Sequence, residues 1–263
     1  MLILAFFVFF CVWTYRETYL DSPLQSKDIY CIMVTGKDHQ RICFARESIA
    51  NFFEQDYLYK KLIIINHAEE KVGYVDDSNS VVEFQVPKGN LTLGDLRNIA
   101  LELVPINAMW TVWDDDDYRT NDYLSLLHNE LVKQDADVVA FTHRIECNYN
   151  TKFLWKTTLE SGFVTVLAKQ DKRIKYKPLD TMEDTSLFDD FKKLGKRIVL
   201  LDNNPQIYIR LVHTNNTSLF VDKKRNSIPD NNVYVGPFKE ESIDENLQKN
   251  ILHFISNYFS KCL

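Results

Sequence analysis

One stretch of the sequence determines the fold that we expect: residues 109–118, which read MWTVWDDDDY. An apolar run that stops at a polar break is typical of a buried strand. Here the predicted strand, Met109 to Trp113, stops at four consecutive aspartates, Asp114 to Asp117. Open α/β sheets bind their ligands at the carboxyl ends of the strands. The stretch therefore predicts a sheet whose ligand site begins with these carboxylates.

The four carboxylates also predict a metal. Adjacent negative charges repel one another, so each raises the free-energy cost of ionising the next. A divalent cation would relieve this repulsion, and Mg²⁺ and Mn²⁺ prefer oxygen ligands, including the phosphate oxygens of a substrate. The run therefore indicates a metal and diphosphate site. The alternative is a solvated acidic turn, the usual state of a block of like charges.

Strands and helices alternate on both sides of this stretch. Before it, apolar spacing predicts strands over residues 29–34, 61–66 and 81–86 and helices over residues 40–55 and 92–103, with Thr92 and Asp95 resembling a capping box. After it, we expect helices over residues 122–134 and 184–194 and strands over residues 137–142, 162–168, 197–201 and 206–212. A strand, a helix and a second strand in this order form a parallel, right-handed unit. The expected fold class is α/β, with one Rossmann-like, mostly parallel twisted sheet flanked by helices.

Three segments are less regular. Residues 145–155 read as an irregular excursion or a hairpin, and residues 222–237 read as a polar loop. Apolar residues between Ile243 and Phe259 are spaced as in an amphipathic helix. Such a helix usually docks on its own domain, and the lack of basic residues on its polar face disfavours a membrane contact.

The composition limits the classes of function. The chain has 263 residues, 45% of them hydrophobic, which is enough for one large domain with a substantial core. A net charge of −6 argues against a general nucleic-acid-binding protein, although it leaves room for a local basic patch. The five cysteines are scattered and form no C-x-x-C pair, so they signal neither a zinc site nor a disulfide framework.

The first thirteen residues, Met1 to Trp13, are apolar without interruption. They fall short of the roughly 20 residues that span a bilayer, and they lack the basic start and small-residue cleavage site of a signal peptide. We therefore expect a short anchor, with membrane association through residues 1–15 and the secretory pathway as one compatible location. A signal peptide and an ordinary buried segment are the alternatives.

Five short motifs follow one another between residues 29 and 218. In chain order they are Val34–Lys37 with Arg41, Leu93–Ala100, Trp113–Asp117 with Tyr123 and Leu124, Met182–Asp184 with Leu187, and Arg210–His213 with Asn216–Ser218. In this order they resemble the motifs of inverting, family-2-type glycosyltransferases with a GT-A fold, and Trp113–Asp117 resembles the aspartate-x-aspartate motif of that family. The resemblance implies a GT-A domain over residues 29–218. The rest of the chain then divides into an anchor or signal segment (1–20), a stem (21–28) and a loop with a C-terminal helix (219–263).

The resemblance also implies a reaction and a role for particular residues. The protein would move a sugar from a nucleotide-sugar donor to a hydroxyl of a glycan, lipid or protein acceptor, with inversion and with Mn²⁺ or Mg²⁺ as cofactor. Asp184 would be the catalytic base, and Asp116 would bind the metal together with Asp114 and His213. Asp114 or Asp115 would contact the ribose or a metal-bound water. The remaining nucleotide-binding set would be Thr35, Gly36, Lys37, Asn66 and Arg97.

Some of these residues have a second interpretation. Asn66 and His67 stand where the family has acidic nucleoside-binding residues, which leaves an inactive carbohydrate-binding relative open. A metal-dependent nucleotidyl- or phosphoryl-transferase would use the same carboxylates, but the sequence lacks its G-x-x-x-x-G-K phosphate loop. Glu183 and Asp184 could simply begin a helix, where acidic residues favour the helix dipole.

Further residues are predicted more loosely. Asp117 would support the metal ligands through hydrogen bonds without binding the metal itself. Lys37, Arg41 and Arg97 are candidate phosphate contacts or solvated surface charges. Tyr149 and Trp155 are candidate platforms for the acceptor sugar or packing anchors.

Overall fold

The computed structural model describes residues 27–36, 39–74, 79–87, 89–148, 154–156, 165–202, 207–212 and 233–236, together with positions 249, 253 and 256. Several predictions fall outside these residues. They concern the N-terminal anchor, Lys37, Tyr149, the side chain of Trp155, His213 and most of the C-terminal helix.

The elements of the described residues follow the predicted alternation. In chain order they are β1 (Ile29–Thr35), α1 (His39–Phe53), β2 (Lys60–Asn66), β3 (Val81–Gln85), α2 (Leu93–Leu103), β4 (Met109–Val112), β5 (Asp117–Arg119), α3 (Tyr123–Lys133), β6 (Val138–Phe141), β7 (Ile145–Asn148), β8 (Leu154–Lys156), β9 (Leu167–Lys169), α4 (Glu183–Lys193), β10 (Ile198–Leu201), β11 (Tyr208–Val212) and β12 (Val233–Gly236). The four helices predicted between residues 40 and 194 are confirmed with small shifts at their ends. The strand predicted over residues 162–168 is shorter and later than expected, since Thr165 and Val166 precede it.

The larger of two sheets has the strand order β10-β6-β9-β4-β1-β2-β3. All its neighbours pair in parallel except β9, which runs antiparallel to both β4 and β6. The mostly parallel sheet is therefore confirmed. Because β1, β2 and β4 point the same way, their last residues share one side of the sheet, which we call the carboxyl edge. The side where these strands begin is the amino edge.

The prediction of one sheet is wrong. A second sheet with the order β12-β8-β7-β11-β5 accompanies the first. Of the two predictions for residues 145–155, the described residues favour the hairpin, since β7 and β8 pair antiparallel. The predicted loop 222–237 contains the strand β12. Residues 117–119 form a strand that starts inside the acidic run and pairs with β11. The strand β5 carries no periodic signal of its own, because three residues cannot show an alternation.

Side chains alternate between the two faces of the sheet along the parallel strands, and each face carries its own buried cluster. In β1, Tyr30, Ile32 and Val34 belong to one buried cluster, while Ile29, Cys31 and Met33 belong to another. The first cluster also contains apolar residues of α2 and α4, and the second contains those of α1 and α3. Strands with both faces covered are continuously apolar, which is why β1 and β2 are easy to detect in the sequence.

Helix α2 is tied to the segment that leads into α4. The predicted capping box is confirmed, because the Asp95 N–H donates to the Thr92 hydroxyl and the Thr92 N–H donates to the Asp95 carboxylate. Asn98 exchanges two hydrogen bonds of 2.8 Å with the backbone of Tyr176. The Gly94 N–H donates to the Leu179 carbonyl at 3.0 Å. These contacts fix the path of the chain just before Glu183.

Gly94 is required for this close approach. A Cβ atom added at Gly94 would lie 1.9 Å from the Lys177 carbonyl oxygen, which is backbone and cannot turn away. We expect Gly94→Ala to lower the free energy of unfolding by about 1–3 kcal/mol, as overpacking does. Denaturant unfolding monitored by circular dichroism measures the change.

Gly89→Ala is the matched control, because a Cβ atom there would meet its nearest neighbour, the Pro87 carbonyl oxygen, at 3.8 Å. Its unfolding midpoint should stay close to that of the unsubstituted chain. Equal midpoints for the two variants would contradict the packing argument.

Candidate active site

The acidic run lies at the carboxyl edge and is largely buried. Asp114 keeps 23% of its side-chain surface exposed and Asp116 keeps 9%, whereas Asp115 has none exposed. Asp117, as the first residue of β5, is also buried. The alternative of a solvated acidic turn is therefore wrong. Only Asp114 and Asp116 keep surface that a ligand could reach.

Arg41, in the first turn of α1, holds the middle of the run. Its guanidinium lies 2.9 Å from Asp115 Oδ1 and 2.5 Å from Asp116 Oδ2. The Thr35 hydroxyl, at the end of β1, donates to Asp115 Oδ2 at 2.7 Å. Burial raises the pKa of Asp115 to about 7, against the opposing effects of Arg41 and Thr35. Asp115 thus fastens β1 and α1 to the run.

Arg97, in α2, joins the run to α4. Its guanidinium lies 2.9 Å from Asp114 Oδ1 and 2.5 Å from Glu183 Oε1. Both Arg97 and Glu183 are buried, and burial raises the pKa of Glu183 although Arg97 opposes this. The bridge brings together two acidic motifs that lie some seventy residues apart in the chain.

The next residue in α4, Asp184, is half-buried beside this bridge. Met182 precedes the helix in the left-handed conformation, with φ of 63°, and so turns the chain into α4 at this point. The Thr185 N–H donates to Asp184 Oδ1 at 2.7 Å, and no described residue donates to Oδ2. A helix N-terminus stabilises a carboxylate, so Asp184 is held as an oriented, ionisable group.

Asp117 begins β5 and is held by the neighbouring strand of the second sheet, β11. The Tyr208 hydroxyl and, at 3.3 Å, the Leu211 N–H donate to its carboxylate. Burial, reinforced by Asp116 and Asp114, raises the pKa of Asp117 to about 8. The predicted role of Asp117 as a support of the metal ligands stays a prediction.

The structure corrects the electrostatic argument for a metal. The repulsion inside the run is relieved by the guanidinium groups of Arg41 and Arg97, so repulsion alone does not require a bound cation. Within the described ranges, no three His, Cys, Asp or Glu side chains are arranged to hold a metal ion. His213, the third predicted ligand, lies outside those ranges. Metal binding remains a prediction, and its chemical support is that Asp114 Oδ2 receives no hydrogen bond from any described residue.

Two predicted nucleotide-binding residues build the loops next to the run. Gly36 has a φ of 117°, and a Cβ atom there would lie 2.6 Å from the Ala68 nitrogen, so only glycine lets the loops after β1 and β2 touch. The Asn66 side chain is buried and donates to the Glu70 carbonyl and the Glu83 carboxylate, at 2.8 and 2.7 Å. Its oxygen accepts from the Ala68 N–H at 2.8 Å. The structure therefore uses Asn66 to shape the loop after β2.

Sequence reasoning missed two partners of the run. Arg119 is buried under it, with its guanidinium carbon 4.2 Å from the Trp113 ring centroid and 5.3 Å from that of Tyr208. It donates to the Asp114 and Asp117 carbonyls at 3.4 and 3.3 Å. The available signal was charge balance, because a buried acidic run needs cations close by. Nothing local in the sequence marks Tyr208.

Comparison with known proteins finds structures of similar fold but no matching sequence family. No protein-family model and no curated protein sequence matches the chain. In structure, however, the chain is similar to solved proteins that share its fold, a mixed α/β domain with a mostly parallel central sheet flanked by helices.

Two solved proteins illustrate the match. S. aureus TarS, residues 1–349, in complex with UDP has a TM-score of 0.56 and 16% identity, and the alignment covers 70% of this chain and 60% of that one. The same protein in complex with UDP-GlcNAc has a TM-score of 0.54 and 15% identity, with 72% and 60% covered. The mannosyltransferase PcManGT from Pyrobaculum calidifontis, in complex with GDP-Man and Mn²⁺, has a TM-score of 0.50 and 12% identity, with 80% and 66% covered. The match thus spans about 60% of the length of the TarS structures.

No helix within the described ranges is both long and apolar enough to cross a membrane.

The bridge through Arg97 predicts a large effect on stability. Arg97→Met should lower the free energy of unfolding by about 3–5 kcal/mol, because it leaves two partly or fully buried carboxylates without their cation. Adding Glu183→Gln to this variant removes one of those charges and should recover part of the loss. Denaturant unfolding of the two single variants and the double variant measures the coupling.

Arg46→Met is the matched control, since Arg46 pairs with Glu70 at 3.2 Å on the surface. Exposed pairs contribute at most about 1 kcal/mol. The bridge would lose its assigned importance if the Arg97 variant unfolded at the same denaturant concentration as the Arg46 variant.

Proposed function

We propose that the chain is a glycosyltransferase that moves a sugar from a nucleotide-sugar donor to an acceptor hydroxyl, with inversion and with help from a divalent cation. The observation that carries the proposal is the Arg97 bridge, because it joins a partly exposed carboxylate, Asp114, to the start of the helix that holds Asp184. The shared fold supports it, since TarS and PcManGT are solved with UDP-GlcNAc and with GDP-Man.

Asp184 is suited to the part of a general base. Its Oδ1 atom is fixed by the Thr185 N–H, while no described residue donates to Oδ2. In the proposed reaction Oδ2 accepts the proton of the acceptor hydroxyl as the hydroxyl oxygen bonds to the anomeric carbon. The bond from that carbon to the diphosphate breaks, and the nucleoside diphosphate leaves with the electron pair. Attack opposite the leaving group inverts the anomeric centre.

The charge of the site fits a divalent cation. Five carboxyl groups surround the two guanidinium groups of Arg41 and Arg97; they belong to Asp114, Asp115, Asp116, Glu183 and Asp184. Even with Asp115 partly protonated, negative charge remains in excess. Hard cations take carboxylate oxygens. Asp114 and Asp116, which keep exposed surface, would hold the ion, and the ion would supply positive charge to the departing diphosphate.

The guanidinium groups of Arg41 and Arg97 have a separate role in this proposal. Arg41 and Arg97 pin Asp114 and Asp116 from the protein side, so those carboxylates need not reorganise when the donor arrives. Preorganised charge of this kind lowers the cost of stabilising a leaving group. We therefore assign both arginines to positioning, in place of the direct phosphate contact that the sequence suggested.

A panel of UDP- and GDP-sugars tests the donor and the metal together. At least one donor should raise the unfolding temperature of the chain in the presence of Mn²⁺, and should be hydrolysed or transferred slowly. Asp116→Asn should abolish the metal-dependent part of both effects, because it removes the negative charge of a proposed ligand. Differential scanning fluorimetry and release of the nucleoside diphosphate provide the measurements.

Asp135→Asn is the matched control, since Asp135 is 89% exposed and lies at the amino edge. It should behave like the unsubstituted chain. Stabilisation by a donor without any release of nucleotide would favour a carbohydrate-binding relative, and indifference to every donor would contradict the proposal.

Asp184→Asn tests the base separately. It should leave donor binding within about twofold of the unsubstituted chain and lower transfer by about 10²–10⁴-fold, the usual contribution of a general base. Isothermal titration gives the binding constant, and the rate of product formation with the best donor gives transfer.

Asp189→Asn controls for a general loss of negative charge on α4, because Asp189 is exposed on the same helix. Transfer by the Asp184 variant at the control's rate would show that the base lies elsewhere.

A further inference from the structure

Three apolar side chains project from the amino edge. Leu58 is 83% exposed, Ile106 58% and Val132 61%. Each lies shortly before a strand that begins at this edge, namely β2, β4 and β6. Tyr59 lies beside them, and its carbonyl accepts from the Ile29 N–H at 2.9 Å. Four of the eight exposed large apolar side chains in the described part of the chain therefore lie at this edge, and such a group indicates a contact surface.

The same edge is basic, although the chain is acidic. The segments that adjoin it carry twelve lysines and arginines against eight aspartates and glutamates, a net charge of +4 in a chain of −6; they are residues 27–28, 56–61, 102–109, 130–138, 169–175 and 190–198. Several of these cations pair with neighbouring acids. Lys169 and Lys192 are exposed, and no described carboxylate lies within ion-pair distance of either.

The N-terminal part of the chain joins the domain at this edge. The Lys27 ammonium lies 3.5 Å from the Tyr59 ring centroid, and the Tyr57 hydroxyl donates to the Lys27 carbonyl at 2.5 Å. The apolar run Met1–Trp13 therefore reaches the domain through a connection of thirteen residues, 14–26. A connection of that length spans at most about 45 Å. An apolar segment so tethered favours a lipid surface as the occupant of the edge.

We propose that the amino edge docks on the surface of an anionic lipid bilayer. Leu58, Ile106 and Val132 enter the headgroup region, Tyr59 lies at the interface as tyrosines do, and the lysines and arginines meet the anionic headgroups. The candidate site lies at the opposite edge, about 23 Å away along the seven residues of β1. The candidate site therefore lies on the side of the domain that faces away from the bilayer. This inference does not depend on glycosyl transfer.

Hydrogen exchange of the full-length chain tests the docking. The chain is bound to phosphatidylcholine vesicles that contain about 30% phosphatidylserine, at low salt and at about 0.5 M salt, and to pure phosphatidylcholine vesicles. At low salt on the anionic vesicles, backbone amides of residues 56–60, 104, 106–108 and 133–137 should exchange about fivefold more slowly than in the other two conditions. Residues 114–117 and 183–186 should not change.

Two tryptophan variants measure the orientation directly. Leu58→Trp and Leu179→Trp both replace an exposed leucine, the first at the amino edge and the second beside the candidate site. In vesicles with brominated acyl chains, the added fluorescence of the first should be quenched and that of the second should not, after subtraction of the unsubstituted chain's signal. Quenching of the Leu179 variant, protection at residues 114–117, or equal exchange in all three conditions would overturn the proposal.

Discussion

The structure around the candidate site depends on the pairing of two buried guanidinium groups with the acidic run. Arg41 comes from α1 and Arg97 from α2, so the helices on opposite faces of the sheet both reach the carboxyl ends of β1 and β4. A run of buried carboxylates without these cations would be strongly destabilising. The packing of two helices and the charge of the site are therefore one constraint. A change to either arginine affects both.

The four carboxylates of the acidic run have different surroundings. Asp114 and Asp116 keep exposed surface, while Asp115 is used to hold Thr35 and Arg41. Asp117 begins β5, where the Tyr208 hydroxyl donates to it from the neighbouring strand of the second sheet, β11. One short stretch thus ends a strand of one sheet, lines the candidate site and begins a strand of the other sheet. This arrangement leaves little freedom for the position of Asp114 and Asp116.

The sequence predicted those parts of the fold that local patterns determine. Continuous apolar strands, helical spacing and the capping box at Thr92 all depend on neighbours within a few residues, and all are found. The second sheet was missed because β5 pairs with β11, some ninety residues away, and neither β5 nor β12 is long enough to show alternation. The repulsion between the four aspartates correctly indicated that positive charge lies next to them. The prediction named a metal because nothing in the local sequence shows that Arg41 and Arg97 fold back onto the run.

The polarity of the α/β unit explains why the two edges differ. Helices in such a unit run from the carboxyl edge to the amino edge, so their positive dipole ends lie near the candidate site and their negative ends lie near Lys133 and Lys193. Anionic groups are favoured at the first edge, and basic side chains are favoured at the second. The helix dipole alone accounts for lysines in the last turns. It does not account for Leu58, Ile106 and Val132, which cost solvation free energy in water at the same edge. The coincidence of both features is the basis of the proposed docking surface.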